Sequence, residues 1–269
     1  MTVPLNIHLF FVRPEDLAFD ELSIAGTDAR HIAGPLRLQP GDQIMLADGQ
    51  GGVGRGLILA VRREGVDVRV IERGHADLPL CKVLLYQGIP KGAKMDEIVA
   101  GATELGVDVI VPFQARRTVV RLDEAWAQHR LARWRRIAAE SAKVARRVTV
   151  PEILEPESSD QVIEELASLD LALIPWEESA DLIDLRSLRP DISSAGLVIG
   201  PEGGLHPEEI QAFARAGAKP VSLGPNILRT ETAALAALAL LAHALEARTL
   251  RQSDRPSPRK GSSEGARQA

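Results

Sequence analysis

From Lys82 onward the sequence alternates between short apolar runs and stretches of helical length, and this alternation limits the possible folds more than any other feature. The apolar runs are KVLLYQGI, VDVIVPF, LALIPW, GLVIG and KPVSLG, and the helical stretches cover 96–105, 123–147, 207–216 and 231–250. Strands that alternate with helices pack as a parallel sheet covered by those helices. We therefore predict an α/β domain over residues 80–250, with five strands in a mainly parallel sheet.

The first part of the chain differs, because it consists of short β-rich runs between turn residues. The runs cover 8–12, 43–46, 55–62 and 66–72, which favours a small β-barrel or sandwich over residues 1–76. A helical stretch at 28–37 contains Pro35, so the helix should kink or end near Gly34. Residues 74–80 form a predicted linker. Residues 251–269 form a predicted disordered tail, because they contain few apolar side chains to offset the entropy of ordering.

The strongest indication of a ligand site is a glycine-rich loop after the apolar strand at 196–199. The loop consists of Gly200, Pro201, Glu202, Gly203 and Gly204. Pro207 then suits the first position of a helix, and the two glutamates after it suit the positive end of the helix dipole. A tight turn needs one glycine, whereas three positions without side chains let the backbone approach a flat ligand. We therefore favour a binding loop over an ordinary turn.

A second loop of the same kind follows the strand that ends at Gly224. It continues through PNIL to Arg229, and the next residues, TET, open an Ala/Leu-rich helix that Thr230 or Thr232 can cap. Core packing explains poorly why Arg229 and Glu231 stand before a fully apolar helix. These two residues are therefore candidates for chemistry, and a local ion pair is the alternative interpretation.

Several other classes of protein are disfavoured. DGQGGVG gives a formal GxGxxG match at Gly49, Gly51 and Gly54, but the following RGLILAV is typical of a strand, so a hairpin turn is favoured over a dinucleotide site. The six histidines are dispersed, Cys81 is the only cysteine, and no GxSxG occurs. These features argue against a metal site, a disulfide framework, zinc hydrolases and serine hydrolases.

The sequence shows no pattern of export or membrane insertion. The N-terminal residues lack the basic start and apolar core of a signal peptide. The most apolar run, AALAALALLAHAL at 233–245, is shorter than the roughly 20 residues that a membrane span needs. We expect a buried helix there, no membrane association, and a cytoplasmic location.

The formal net charge of −5 would argue against a nucleic-acid partner, but the charge is unevenly distributed. Residues 81–150 contain 13 basic and 7 acidic residues, a balance of +6, and ten of the basic residues lie between Arg116 and Arg147. Clustered basic residues indicate an RNA-binding surface. A solvated helix face is the alternative.

IGPEGG and LGPNILRTETAALAAL, in this order and spacing, resemble the signature of the family that methylates N3 of a uridine in bacterial small-subunit ribosomal RNA. The similarity continues in HIAGPLRLQPGD near His31, in KGAKMDEIVAGATELGVDVIVP from Lys91 and in RWRRIAAES from Arg133, and it covers most of residues 7–248. The resemblance implies a PUA-like β-barrel followed by an α/β domain of the SPOUT type, tied in a trefoil knot. It also implies S-adenosyl-L-methionine as cofactor, a homodimer, and 16S ribosomal RNA of the 30S subunit as substrate.

The same resemblance implies roles for individual residues. Arg229 would stabilise the uracil oxygens or a neighbouring phosphate, and Glu231 or Glu202 would orient it or take the N3 proton. The cofactor would contact three loops, which contain Ile174, Pro175, Trp176, Ile199, Gly200, Pro201, Gly203, Gly204, Leu223, Gly224, Asn226, Ile227 and Leu228. The RNA would contact basic residues of both domains, namely Arg13, Arg37, Lys91, Lys94, Arg116, Arg117, Arg146 and Arg147.

Three positions depart from the family pattern. Val144 stands where Gln is typical, Asn226 where Arg is typical, and His206 where a small N-capping Ser is usual. Val144 lies at helical spacing from Trp134 and Ser141, so we expect it to extend an apolar stripe. The departures bear on the RNA contacts and on the target nucleotide. Two alternative functions also stay open. One is methylation of another RNA position, and the other is noncatalytic RNA binding in ribosome assembly.

Overall fold

The structure is a computed structural model that describes residues 7–119, 124–185, 188–189 and 191–253. Its strands form two sheets, one of five strands in the first part of the chain and one of seven strands after it. The predicted change from a β-rich part to an α/β part is confirmed.

The first sheet is mainly antiparallel. Its strands are β1 (Leu9–Phe11), β2 (Glu21–Ala25), β3 (Gln43–Ala47), β4 (Gly52–Val61) and β5 (Gly65–His75), in the order β1-β3-β4-β5-β2, with β1 parallel to β3. All four predicted β-runs are strands, with ends shifted by a few residues. The sequence does not predict the edge strand β2, because Ile24 is its only buried residue and the alternation of apolar and polar residues is weak.

The local features of this sheet follow the sequence closely. Gly49 and Gly51, in the turn between β3 and β4, have φ values of +78° and +108°, which glycine adopts without strain. The interpretation of the GxGxxG match as a hairpin turn is therefore confirmed. Helix α1 (Gly26–Ala33) ends with Gly34 as its C-cap, directly before Pro35, as predicted.

The second sheet is parallel throughout. Its strands are β6 (Lys82–Gly88), β7 (Val109–Gln114), β8 (Glu152–Ile153), β9 (Glu157–Ser158), β10 (Leu171–Pro175), β11 (Ser194–Ile199) and β12 (Lys219–Val221). The order is β12-β10-β11-β6-β7-β8, and β9 also pairs with β7. The five predicted strands are present, and the prediction missed β8 and β9, which are two residues long and have no periodicity to detect.

Helices cover both faces of this sheet and complete a three-layer α/β fold. On one face lie α2 (Lys94–Glu104), α3 (Glu124–Val144) and α6 (Thr230–Ser253), and on the other lie α4 (Ser159–Leu166) and α5 (Pro207–Arg215). The sequence analysis missed α4, although its start carries a capping box in which Ser158 Oγ accepts a hydrogen bond from the Gln161 amide. The other four helices are near their predicted positions, and the predicted start of α3 at residue 123 lies outside the described residues.

Helix α6 differs from the prediction of a buried helix. Ala234, Ala237, Leu238 and Leu241 are buried, but Leu240 is 46% exposed. It is the one described helix that is long and apolar enough to span a membrane, over Thr230–Thr249, and 33% of that window is buried. Only one face therefore packs on the domain. The helix also includes residues 251–253 of the predicted tail, and residues 254–269 lie outside the described part of the chain.

The β-rich part contacts the end of α3. Lys143 Nζ forms an ion pair with Asp28 at 3.0 Å, and the Val150 amide donates to the Gly49 carbonyl at 3.0 Å. The expectation for Val144 is wrong, because its side chain is 77% exposed. The buried stripe of α3 continues through Ala138 and Ala142, and at 100° per residue Val144 points well away from it.

Candidate active site

A cavity of about 350 Å³ opens where β10 and β11 end. Its apolar wall includes Trp176, Ile199, Leu205 and Leu228. A smaller cavity of about 60 Å³ adjoins it and is lined by the loop after β12, from Ser222 to Leu228. The carboxyl ends of neighbouring parallel strands are a common place for a ligand, because loops from several strands meet there.

The glycine loop after β11 is packed so closely that side chains are excluded. A Cβ atom at Gly200 would lie 2.9 Å from the Gly204 carbonyl carbon and 2.9 Å from the Leu205 nitrogen, and Gly204 has a φ of +68°. At the end of β6, a Cβ at Gly88 would lie 2.6 Å from Pro201 Cδ. The glycines are therefore needed to build the loop, and they present backbone to the cavity.

A hydrogen-bonded chain ties the two glycine-containing loops together. Thr230 donates its hydroxyl to the Gly200 carbonyl oxygen at 2.6 Å, and the side-chain amide of Gln87 donates to Thr230 Oγ1 at 3.0 Å. Gln87 is fully buried at the end of β6. Sequence reasoning missed Gln87, although a glutamine inside an otherwise apolar strand is a usable signal.

The helix start after the glycine loop is held by two side chains. His206 Nδ1 accepts a hydrogen bond from the Glu208 amide at 3.3 Å, so histidine takes the N-cap role that serine would fill. Glu209 is 4% exposed and accepts hydrogen bonds from the Arg116 amide, Ser159 Oγ and the His206 amide at 2.8–2.9 Å. Glu209 thereby joins three segments behind the cavity.

Two carboxylates and a lysine meet at one side of the cavity. Lys94 Nζ lies 3.1 Å from Glu202 Oε1 and 3.8 Å from Glu231 Oε2. A Cβ at Gly101 would lie 2.7 Å from Leu235 Cδ2, so this glycine lets α6 approach α2 and brings their first turns together. Burial tends to raise the pKa of Glu202, but hydrogen bonds from backbone amides and from Lys94 hold it below its ordinary value.

Glu231 and Arg229 differ from Glu202, because each has a polar side-chain group that forms no hydrogen bond within the described residues. Glu231 Oε2 is buried and has no hydrogen-bond partner among the described residues. Arg229 lines the cavity, is exposed, and forms no ion pair or side-chain hydrogen bond within the described part of the chain. The predicted alternative, a local ion pair between Arg229 and Glu231, is absent from these residues. Among the described residues the site therefore offers one unpaired cation, Arg229, and one carboxylate oxygen, Glu231 Oε2, whose only neighbour of opposite charge is the Lys94 ammonium at 3.8 Å.

The cavity fits a nucleoside-type cofactor, because it combines apolar walls, a side-chain-free cradle and exposed backbone groups. Most of the residues predicted for the cofactor line one of the two cavities, namely Pro175, Trp176, Ile199, Gly200, Pro201, Gly204, Leu223, Gly224, Asn226, Ile227 and Leu228. Ile174 lies in the core instead, and Gly203 packs against Arg117. Glu177, Thr230 and Ala233 also line the cavity and were not predicted.

The predicted RNA-contacting residues are more dispersed. Lys91 and Arg37 are exposed, and Arg13 is exposed while paired with Asp16. Arg147 has a side chain only 14% exposed, and its guanidinium donates to the carbonyls of Thr103 and Val107. These hydrogen bonds indicate that Arg147 stabilises the fold.

The basic stretch from Arg116 to Arg147 is largely neutralised by its own surroundings. Arg116 pairs with Glu208, Arg117 donates to the Gly203 carbonyl at 2.9 Å, and Arg146 donates to the Ile7 carbonyl at 3.4 Å. Within the described part of this stretch, Arg136 is the one basic side chain without a partner. The excess of charge in the sequence therefore overstates the free positive surface.

A parallel sheet with helices on both faces and a glycine-lined cavity at its carboxyl edge defines a class of α/β enzymes that hold a nucleotide-like cofactor. Comparison with known families makes this more specific. Residues 76–242 match the family described as "RNA methyltransferase domain", and residues 24–71 match the one described as "RNA methyltransferase PUA domain". The chain belongs to this RNA methyltransferase family.

Relatives support the same assignment. The protein named "Ribosomal RNA small subunit methyltransferase E" from Bacillus subtilis is 34% identical over 83% of this chain and 90% of its own length. The protein of the same name from Mycobacterium tuberculosis is 34% identical over 80% of this chain and 83% of its own length. Both comparisons span most of each chain.

Solved structures agree with the sequence relatives. A putative methyltransferase from Legionella pneumophila in complex with bound SAM is 30% identical, covers 89% of this chain and 98% of its own, and has a TM-score of 0.77. A ribosomal RNA small subunit methyltransferase E from Neisseria gonorrhoeae bound to S-adenosyl methionine is 28% identical, covers 88% and 98%, and has a TM-score of 0.76. The predicted knotted SPOUT domain with a PUA-like barrel, the methyltransferase activity on RNA and the cofactor S-adenosyl-L-methionine are thereby confirmed.

Proposed function

We propose that the protein methylates N3 of a specific uridine in 16S ribosomal RNA of the 30S subunit. Two observations carry the proposal: the exposed guanidinium of Arg229 lines the cavity, and two residues further on Glu231 has a buried carboxylate oxygen that accepts no hydrogen bond from the described residues and lies 3.8 Å from the ammonium of Lys94, a residue that also lines the cavity. Alkylation at uracil N3 removes a proton from nitrogen and spreads negative charge onto O2 and O4. A cation that lines the cavity and a carboxylate in the adjoining first turn of α6 meet both requirements.

When bound, S-adenosyl-L-methionine would supply an electrophilic methyl group on sulfur. In the proposed reaction Glu231 takes the N3 proton, the N3 electron pair forms the bond to the methyl carbon, and the carbon–sulfur electron pair remains with sulfur. Arg229 stabilises the charge on the uracil oxygens. Glu202 is held ionised by Lys94 and by the Lys91 amide, so we give it the role of anchoring the loop.

The cofactor is held mainly by backbone groups. Gly200 and Gly204 present backbone at one wall, and the loop from Leu223 to Leu228 presents it at the other. Trp176 lies between these loops and offers a flat apolar surface to an adenine ring.

The RNA must present an unpaired or extruded uridine, because N3 lies on the edge used in base pairing. We place the surrounding RNA backbone on the barrel of residues 1–76, through Arg13 and Arg37, and on Lys91 and Arg117 near the cavity mouth. Arg116 and Arg146 stay peripheral members of this surface, and Arg147 is left out because its donors are used internally.

We also propose a homodimer in the cytoplasm. The outward face of α6 carries exposed Leu240, and Leu80, in the segment before β6, is 67% exposed. An apolar face of a long helix that its own domain leaves partly uncovered suits a second copy of the chain. Sedimentation of the purified protein tests this, and a monomer at micromolar concentration would contradict it.

The proposed activity is tested with 30S subunits purified from cells that lack the gene. Incubation with the protein and radiolabelled S-adenosylmethionine should transfer about one methyl group per subunit, and digestion should yield N3-methyluridine as the only labelled nucleoside. Another methylated nucleoside would support the alternative of a different RNA target. No transfer, together with measurable RNA binding, would support the noncatalytic alternative.

A further inference from the structure

Lys94 occupies an unusual place for a lysine. It is the first residue of α2, where the helix dipole is positive and a cation is unfavourable. Its side chain is only 36% exposed, and its ammonium lies between two carboxylates from other segments, Glu202 after β11 and Glu231 in the first turn of α6. The two negative charges offset the unfavourable interaction between the ammonium and the positive end of the helix dipole.

Without Lys94, no cation would form an ion pair with Glu202 or Glu231 among the described residues. Two carboxylates that lie beside the same ammonium repel each other once that ammonium is removed, and such repulsion raises the pKa of at least one of them. A protonated Glu231 would have lost the acceptor that the proposed reaction uses.

We propose that Lys94 is a positioning residue for methyl transfer: its ammonium keeps Glu231 ionised and fixed beside the cavity, while it ties the Glu202 loop to α2. This inference rests on the proposed function. It also replaces the sequence-based expectation that Lys94 binds the RNA backbone, because an ammonium already engaged by two carboxylates has little charge left for a phosphate.

The other charged groups at the cavity do not substitute for Lys94. Arg229 lines the cavity but forms no ion pair with either carboxylate, and Glu177, on the loop after β10, adds a further negative charge. The balance of charge around Glu231 therefore depends on Lys94. Removing its ammonium should make Glu231 harder to ionise.

The test compares Lys94→Met, which keeps the length of the side chain without its charge, with Lys94→Arg, which keeps the charge. Lys219→Met is the matched control, because Lys219 is an exposed lysine at the start of β12 and contacts neither cavity. Single-turnover methylation is measured from pH 5 to 9, together with calorimetric affinity for S-adenosylmethionine and filter binding of RNA at several salt concentrations. Carbon-13 NMR titration follows the carboxyl group of Glu231 in the protein without RNA.

Lys94→Met should lower the methylation rate at pH 7 by about tenfold or more and move the rising limb of the pH profile about one unit higher, the size expected when a neighbouring opposite charge is lost. The NMR titration of Glu231 should shift in the same direction. Lys94→Arg should recover most of the rate, Lys219→Met should match the wild type, and affinity for RNA should stay within about twofold.

Two results would overturn the proposal. One is a wild-type pH profile and NMR titration in Lys94→Met. The other is a loss confined to RNA affinity, with a salt dependence reduced by about one phosphate contact. If the wild-type protein itself does not methylate uridine N3, the proposed function fails, and the NMR titration still shows separately whether Lys94 controls the ionisation of Glu231.

Discussion

Thr230 donates its hydroxyl proton to the carbonyl oxygen of Gly200 across 2.6 Å and so fastens the first turn of α6 to the glycine loop after β11. The same Thr230 oxygen accepts a hydrogen bond from Gln87, which is fully buried. One side chain therefore links the start of α6 to the glycine loop and to the end of β6. Because these contacts are buried, losing them leaves polar groups without partners.

Replacing Thr230 with valine should weaken cofactor binding. The change removes the donor to Gly200 and one acceptor of the Gln87 amide, which keeps its hydrogen bond to the Gly88 carbonyl, at a cost of about 1 to 3 kcal/mol. Calorimetry should show affinity for S-adenosylmethionine reduced by about 5- to 150-fold. Thr230→Ser should retain most of the affinity, and Thr232→Val, at an exposed position two residues on, should behave as the wild type. Equal affinity in Thr230→Val and wild type would mean that the loops are held by other contacts.

A second prediction concerns the N-cap of α5. His206→Ala should lower the unfolding free energy by about 1 kcal/mol, because the Glu208 amide loses its acceptor. That corresponds to a melting temperature lower by about 2 to 4 °C for a chain of this size. His206→Ser should equal or exceed the wild type, since serine is a strong N-cap residue. A drop as large for serine as for alanine would show that the imidazole acts through packing.

The free energy of unfolding should depend on pH partly through the carboxyl group of Glu157. Burial, followed by the nearby Glu165 carboxylate, raises the pKa of Glu157 from 4.5 to about 7. The folded state thus favours the protonated form, so the stability that this group contributes is present below pH 4.5 and is lost as the pH rises through 7. Glu157→Gln should match the wild type at low pH and become more stable than it above neutrality.

Denaturant unfolding between pH 4 and pH 8.5 measures this difference. Glu164→Gln, at an exposed position of α4, is the control and should show a constant offset from the wild type across the range. If the gap between Glu157→Gln and the wild type is also constant with pH, the carboxyl group is not protonated in the folded protein.

The sequence predicts those features of the fold and site that depend on local chemistry. The five apolar strands and the two glycine loops are visible because each is specified by adjacent residues, and the loops are identified correctly as the cavity walls. The roles of Lys94, Gln87 and Glu209 are not visible, because their partners lie far along the chain and come together only when the sheet and α6 are assembled. Val144 shows the same limit, since helical spacing alone does not fix which face of a helix end is covered.

The basic stretch between Arg116 and Arg147 shows a similar limit for predictions from charge. Counting residues suggests a strong RNA-binding surface, yet Arg116 is paired with Glu208 and Arg147 is buried against backbone carbonyls. The net charge of a sequence segment counts every basic residue in it. After folding, only the basic side chains without internal partners are free to bind RNA. The free positive groups are fewer and include Arg229, which the count by segment does not single out.

The last prediction concerns Arg229, which lines the cavity and is exposed without a partner among the described residues. Arg229→Ala should reduce single-turnover methylation by about 100- to 1,000-fold, because a cation that meets charge only as it develops is worth about 3 to 4 kcal/mol in the transition state. Its affinity for the cofactor should change little, since backbone groups of the two loops hold that ligand. Arg229→Lys should recover the rate only in part, because it keeps the charge but loses the planar fork that can contact two acceptors. Arg215→Ala, at the exposed end of α5, is the matched control and should leave rate and affinity unchanged. Melting temperature separates the two explanations. If Arg229→Ala loses stability and cofactor affinity together, the residue is structural, whereas a loss of rate alone places the guanidinium at the reacting uracil.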